Sequence, residues 1–105
     1  MSEVVVMIVR AVPQPGQTQA VLEVLQELVP IVHDEPGCEL YSLHVHDDGD
    51  IYFIEKWASA ELAQQHGQSS PILPALAERA SPLLQGPPEI TVLTPAPAGG
   101  AKGAL

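Results

Sequence analysis

The chain has 105 residues, with 13 acidic and 4 basic side chains, so its formal net charge is −9. This length predicts one domain, and a composition of 46% hydrophobic and 16% charged residues is globular. So acidic a chain is a poor partner for nucleic acids and for anionic membranes, because both are bound mainly through Lys and Arg.

The first part of the chain predicts a strand followed by a helix. Residues 4–9 are apolar at every position, which is typical of a strand covered on both faces. Between Gln17 and His33 the apolar residues recur every three or four positions, which predicts an amphipathic helix. Pro30 should kink or loosen the last turn of this helix, and the Glu-Pro-Gly sequence at 35–37 should end it.

The middle of the chain predicts a β-hairpin. Residues 38–46 and 51–57 are strand-like, and the intervening Asp48-Gly49 is a strong turn signal. Side chains alternate along a strand, so Phe53, Glu55 and Trp57 should share one face of the second strand.

A second helix and a last strand should follow. Ser59 is a candidate N-cap for a helix that runs towards His66, and Gly67 should interrupt it before helical structure restarts near 69–71. Residues 90–93 predict a short strand. We assign residues 1–94 to the folded domain and the Pro/Ala/Gly-rich residues 95–105 to a flexible tail.

The predicted order is β-α-β-β-α-β, an α+β fold of the ferredoxin-like type with one antiparallel sheet. Both helices would cover one face of the sheet and leave the other face apolar and exposed in a single copy. Packing of two sheets face to face would remove this exposure. We therefore predict a homodimer.

Several segments resemble the antibiotic biosynthesis monooxygenase family, and within it the small quinol monooxygenases. They are residues 35–41 (EPGCELY), residues 54–59 (IEKWAS), Leu62 with His66, residues 10–16, and Val29-Pro30. The segments occur in order over roughly residues 3–94. The resemblance implies a dimeric α+β barrel, and enzymes that oxidise phenols, hydroquinones or anthrones with O₂ without flavin or metal. We therefore expect no cofactor.

Oxygenation without a cofactor needs a substrate that supplies the electrons and a protein that removes its proton. His66 is the candidate base, because imidazole titrates near neutral pH. Trp57 could stack an aromatic ring and donate its indole N–H, and Glu55 on the same face could orient the histidine or carry a proton. We predict these three residues as the catalytic group.

A structural role is the alternative for each of them. Trp57 at the end of a strand could anchor the core or an interface. His66 could satisfy the last carbonyls of its helix, and Glu55 could pair with Lys56 or Arg10 across the sheet.

Three further residues are predicted to contact the substrate: Tyr41, His44 and Phe53. Cys38 is the single cysteine and is interpreted as a small buried apolar side chain, because no cationic partner is near it in sequence. A single cysteine is typical of a reducing compartment, and no basic, apolar leader is recognisable, so we predict a cytoplasmic protein.

A metal site is not predicted. His44 and His46 share a strand face beside Asp47 and Asp48, but polar residues at the end of a hairpin are usually solvated and this set is short of a defined coordination shell.

The sequence therefore predicts a cofactor-independent monooxygenase that acts on a small phenolic, quinol or anthrone-like substrate with O₂. The first alternative is a non-catalytic dimer that binds a small ligand. The second is a haem-binding or haem-degrading protein. The chain has no asparagine, whereas the polyketide-oxidising and haem-degrading members of the family rely on an asparagine together with a tryptophan. It also has only four basic residues to meet the propionates of haem. Both observations argue against assigning these two activities to the chain.

Overall fold

The computed structural model describes residues 3–105. The elements follow in chain order: β1 (Val5–Ala11), α1 (Thr18–His33), β2 (Cys38–Val45), β3 (Ile51–Trp57), α2 (Ala60–Ser69) and β4 (Glu89–Leu93). Between α2 and β4 the chain forms a short helix, α3 (Leu73–Ala75), then a π-helical turn (Leu76–Ala80) and a 3₁₀ turn (Ser81–Leu83).

The four strands form one antiparallel sheet in the order β2-β3-β1-β4. This arrangement confirms the predicted ferredoxin-like α+β fold. The β2–β3 hairpin closes where the sequence indicated, since Gly49 has a φ of 97° and its N–H donates to the carbonyl of His46 over 2.9 Å. Among residues 3–105, no helix combines the length and the apolar character that crossing a bilayer requires.

The second helix begins as predicted but ends later. The Ser59 hydroxyl accepts the N–H of Leu62 over 3.2 Å and caps α2. The prediction that Gly67 interrupts this helix is wrong, because α2 continues to Ser69. A glycine within a helix costs only about 1 kcal/mol relative to alanine, which the packing of its neighbours on the sheet outweighs.

The first helix also tolerates its proline. α1 continues through Pro30 to His33, and its end is tightened by bonds between residues three positions apart. The N–H groups of Asp34 and Glu35 donate to Ile31 and Val32 over 3.2 and 2.9 Å. These bonds satisfy carbonyls at the helix end.

The core lies between the helices and one face of the sheet. Alternate side chains of β3 are buried on that face: Ile51, Phe53, Glu55 and Trp57. The helical layer contributes further buried apolar residues: Val21, Leu25, Leu28 and Val32 of α1, Ala63 of α2, and Ile72.

The other face of the sheet, here called the open face, carries no α-helix among residues 3–105. Register across the strands brings Ile8 opposite Ile54 and Arg10 opposite Tyr52 on this face. The C-terminal segment lies along one part of it, where the Lys56 ammonium donates to the backbone oxygen of Leu105 over 2.7 Å. The flexibility of residues 95–105 stays a prediction.

The turn between α1 and β2 depends on a glycine. Gly37 has a φ of 80°, and its carbonyl accepts the N–H of Ala58 over 2.8 Å. A Cβ at this position would lie 3.0 Å from the Cβ of Leu62 and would overlap the end of that side chain. The turn therefore packs directly on α2, which fixes the position of Glu35 two residues earlier.

We expect Gly37→Ala to lower the free energy of unfolding by about 2–4 kcal/mol, because it adds both backbone strain and a steric overlap with Leu62. Unfolding in urea, followed by circular dichroism, measures this loss.

Substitutions of two other glycines separate the cost of backbone strain from the cost of steric overlap. Gly16 has a φ of 77° with no atom within 4 Å of an added Cβ, so Gly16→Ala should lose only about 1–2 kcal/mol. Gly67 lies in α2 with equally open surroundings, and Gly67→Ala should gain about 0.5–1 kcal/mol. A Gly37→Ala loss no larger than that of Gly16→Ala would refute the packing argument.

Candidate active site

β3 and α2 bring the predicted tryptophan and histidine into contact. β3 ends at Trp57, the chain turns at the Ser59 cap, and α2 carries His66 back over the indole. The two rings stack with centroids 4.7 Å apart and an interplanar angle of 28°. Trp57 has an exposed fraction of 0%, so it supports the face of the imidazole rather than forming an open wall for a ligand.

Glu55 is a carboxylate buried in the apolar layer, with an exposed fraction of 2%. Its Oε1 accepts the indole N–H of Trp57 over 2.9 Å. Loss of water around the carboxyl raises the pKa of Glu55, the bond from Trp57 and the nearby His66 oppose that rise, and the Glu35 charge adds to it. Glu55 therefore holds its proton more tightly in the folded protein than in the unfolded chain.

The carboxylate that contacts His66 is Glu35, which is not among the site residues predicted from the sequence. Glu35 Oε1 lies 2.9 Å from His66 Nδ1, and its Oε2 accepts the hydroxyl of Ser70 over 2.6 Å. These partners are 31 and 35 residues away in the chain. The available signal was the Glu-Pro-Gly segment, which predicted the end of a helix and carried part of the family resemblance at residues 35–41, with no role assigned to the Glu35 side chain.

Tyr41 and Phe53 lie beside this group and pack against each other with ring centroids 4.6 Å apart. The Tyr41 ring also meets His66 edge-on at 5.4 Å and 69°. Burial, with the charges of Glu55 and Glu35, raises the pKa of the Tyr41 phenol well above its usual range. Tyr41 therefore stays protonated and cannot serve as the base at neutral pH.

His44, the third predicted substrate contact, is not part of this cluster. It lies in register with Tyr52 on the open face, and its Nε2 is 2.8 Å from the Ser42 hydroxyl. His46 contacts Asp48 near the hairpin turn. Across residues 3–105, no group of three or more His, Cys, Asp or Glu side chains is arranged to hold a metal ion.

Cys38 is half-buried at the start of β2. Loss of water, followed by the charges of Glu35 and Glu55, raises the pKa of its thiol. The thiolate needed for nucleophilic chemistry is therefore disfavoured.

A cavity of about 210 Å³ borders His66. It is lined by Glu35, Pro36, Leu62, Gln65, His66, Ser69 and Pro71. This volume is below the roughly 300–1,000 Å³ of sites for drug-sized ligands. The imidazole and its carboxylate partner thus lie at the edge of a space suited to a small molecule.

A larger and more apolar groove of about 420 Å³ lies on the other side of α2. It is lined by Val5 and Met7 of β1, by Ile90 and Val92 of β4, and by Ala60, Ala63, Gln64, Gly67 and Gln68 of α2. α2 therefore separates a polar cavity from an apolar groove.

Comparison with protein families gives one match. The family described as antibiotic biosynthesis monooxygenase matches residues 4–79. This range includes His66 and the side chains described around it: Glu35, Tyr41, Phe53, Glu55, Trp57 and Ser70. Among functionally curated proteins, no significant match to the chain was found.

Solved structures share the fold over nearly the whole chain. The protein Rv0793 from Mycobacterium tuberculosis is 28% identical, with a TM-score of 0.77 over 94% of this chain and 99% of that one. A protein of unknown function from Nitrosomonas europaea is 25% identical, with a TM-score of 0.76 over 91% and 96%. A proposed antibiotic biosynthesis monooxygenase from Caulobacter crescentus is 23% identical, with a TM-score of 0.77 over 88% and 89%, which establishes a shared fold.

We expect Glu55→Gln to be more stable than the wild type at pH 7, with an advantage that shrinks as the pH falls towards about 4. The folded carboxyl has the higher pKa, so unfolding releases a proton and wild-type stability falls as pH rises from the unfolded pKa to the folded one. Glutamine has no proton to lose, and its oxygen can still accept the indole N–H.

Urea unfolding at several pH values between 4 and 7 checks this expectation. Glu39→Gln, at an exposed position, is the matched control and should show no such trend. An advantage of Glu55→Gln that does not change with pH would contradict it.

Proposed function

Because this chain belongs to the antibiotic biosynthesis monooxygenase family, we propose that it oxidises a small phenol or quinol with O₂ and uses no bound cofactor. The observation that carries the proposal is the His66 imidazole, which has a carboxylate at Nδ1 and a small cavity beside it. A base in that position can take the proton of a phenolic hydroxyl.

The reaction balances without an external reductant. A hydroquinone and O₂ give a hydroxyquinone and water: one oxygen atom enters the ring as a hydroxyl, and the other leaves as water with two hydrogens from the substrate. The substrate supplies all the electrons. The protein has to remove the phenolic proton, because the phenolate reacts with O₂ far more readily than the phenol does.

The roles of the neighbouring side chains follow from burial. His66 borders the cavity and acts as the base, whereas Trp57 is fully buried and supports the imidazole face. Glu55 accepts the indole N–H, so its hydrogen bond orients Trp57, the ring against which His66 stacks. Phe53 and Tyr41 form the apolar backing of the same group.

The volume of the cavity favours a substrate with one ring. A space of about 210 Å³ bordered by four polar residues suits a single-ring quinol better than an anthrone with three fused rings. The apolar groove beyond α2 is larger, but His66 is not among its lining residues.

Haem is a weaker candidate ligand because its propionates need cations. Arg10 is on the open face and pairs with Asp50 and Glu89, and Lys56 is on the same face. Arg79 pairs with Glu27, and Lys102 lies in the C-terminal segment. None of these four cations, which are all the Lys and Arg of the chain, borders the cavity beside His66.

We expect the protein, freed of metal and without added flavin, to consume O₂ faster than autoxidation when given single-ring hydroquinones. His66→Ala should lower kcat by about 10²–10⁴, the usual contribution of a positioned base. An oxygen electrode measures uptake across a panel that includes anthrone as the larger substrate.

His46→Ala is the control, because it removes an exposed imidazole near the hairpin turn and should leave uptake unchanged. Equal activity of the wild type and His66→Ala would refute the assignment of the base. No uptake with any compound, together with stabilisation of the fold by one of them, would favour the non-catalytic binding protein.

We also propose that two copies associate through the open face. Ile8 and Ile54 lie opposite each other near its centre, between the polar pair Arg10 and Glu89 at one end and Lys56 at the other. An apolar face with no helix on it is a common basis for self-association. The cytoplasmic location stays a prediction.

We expect a mass in solution of twice the 11.1 kDa of one chain, and we expect Ile54→Lys to reduce it to that of a monomer, since a buried unpaired charge is costly. Analytical ultracentrifugation measures both. Ile31→Lys, at an exposed position of α1, is the control and should leave the mass unchanged. A monomeric wild type at micromolar concentration would contradict the proposed dimer.

A further inference from the structure

We propose that Glu35 is a positioning residue that fixes the tautomer of His66, with the proton on Nδ1 and the free electron pair on Nε2. The Glu35 Oε1 lies 2.9 Å from Nδ1, and both side chains are largely buried, with exposed fractions of 10% and 11%. The effect of Glu35 on the rate of turnover rests on the proposed function. The effect of Glu35 on the tautomer of the imidazole does not.

The chemistry of the two groups determines the direction of the bond. An ionised carboxylate can only accept hydrogen bonds, so a neutral imidazole facing it must carry its proton on the facing nitrogen. The other nitrogen is then a proton acceptor. Glu35 thereby makes Nε2 the atom of His66 that can take a proton from a ligand.

The second oxygen of Glu35 is held as well. The Ser70 hydroxyl donates to Oε2 over 2.6 Å, and Ser70 is buried at the end of α2. The Ser70 oxygen also accepts the N–H of Ile72 over 3.3 Å, which fixes the hydroxyl in place. With both oxygens engaged, the carboxylate cannot rotate away from His66 without losing a buried hydrogen bond.

The backbone that carries Glu35 is anchored independently of His66. The turn at Gly37 packs on Leu62 of α2, one helical turn before His66, and accepts a hydrogen bond from Ala58. Glu35 and His66 are thus attached to two surfaces that are already in contact. Their spacing is a property of the fold.

Two aromatic rings also hold the imidazole, one stacked on its face and one in an edge contact. Trp57 stacks against it at 4.7 Å, and Tyr41 meets it edge-on at 5.4 Å. A half-turn of the ring about the Cβ–Cγ bond, which would put Cδ2 in place of Nδ1 opposite Glu35, has to displace these buried rings. Glu55 does not compete for the imidazole because it accepts the Trp57 N–H.

Nitrogen-15 NMR of the histidine side chains tests the proposal without any substrate. At a pH at which the nitrogen chemical shifts show a neutral ring, the wild type should have His66 protonated on Nδ1, with its signals assigned from the spectrum of His66→Gln. Glu35→Ala should lose this preference, because no carboxylate then faces Nδ1. The control, Glu39→Gln, removes a nearby exposed carboxylate and should change nothing.

A wild-type ring protonated on Nε2 would overturn the proposal even if Glu35→Ala failed to fold. The same tautomer in Glu35→Ala as in the wild type would also overturn it.

Turnover provides the second readout. With a quinol that the wild type oxidises, Glu35→Ala should lower kcat by about 10- to 100-fold, with a smaller change in KM. An unchanged kcat would overturn the catalytic consequence. An Nδ1 tautomer in a protein that consumes no O₂ would reject the proposed function while the positioning role stands.

Discussion

A carboxylate buried among apolar side chains must find a hydrogen-bond donor, and the candidate site is organised around that constraint. Glu55 meets it with the indole N–H of Trp57. The indole, held at that angle, presents its face to His66, whose Nδ1 meets Glu35. Ser70 completes the series at the far end of α2. The orientation of each side chain depends on the one before it, so the group behaves as one unit between the sheet and the second helix.

The backbone framework could be predicted because its signals are local. Asp48-Gly49 indicates a hairpin turn from two residues, and the Ser59 cap acts within three positions of itself. Local signals gave the wrong end for α2, which continues through Gly67 to Ser69. A propensity of about 1 kcal/mol is small beside the packing of a helix on a sheet, so a single glycine does not determine where a helix ends.

Part of the site could be predicted from periodicity, whereas His66 was singled out by the family resemblance. Alternation along β3 put Phe53, Glu55 and Trp57 on one face, and that is where they lie. Glu35 could not be found in this way, because its contact with His66 spans 31 residues and depends on how a turn docks onto a helix. His44 could have been set aside, since the same alternation separates it from Tyr41 on β2.

The docked turn at Gly37 has a consequence for the dynamics of the protein. The strands are joined by ladders of backbone hydrogen bonds, interrupted only by a register shift at residues 38–40, whereas the turn is attached to α2 mainly by its contact with Leu62 and by the bonds of Glu35. Segments with few such attachments open at a lower free energy than the whole fold. An opening that lifts the turn from α2 removes the partner of His66 while the sheet stays paired. Loss of the site therefore requires less free energy than unfolding of the whole fold.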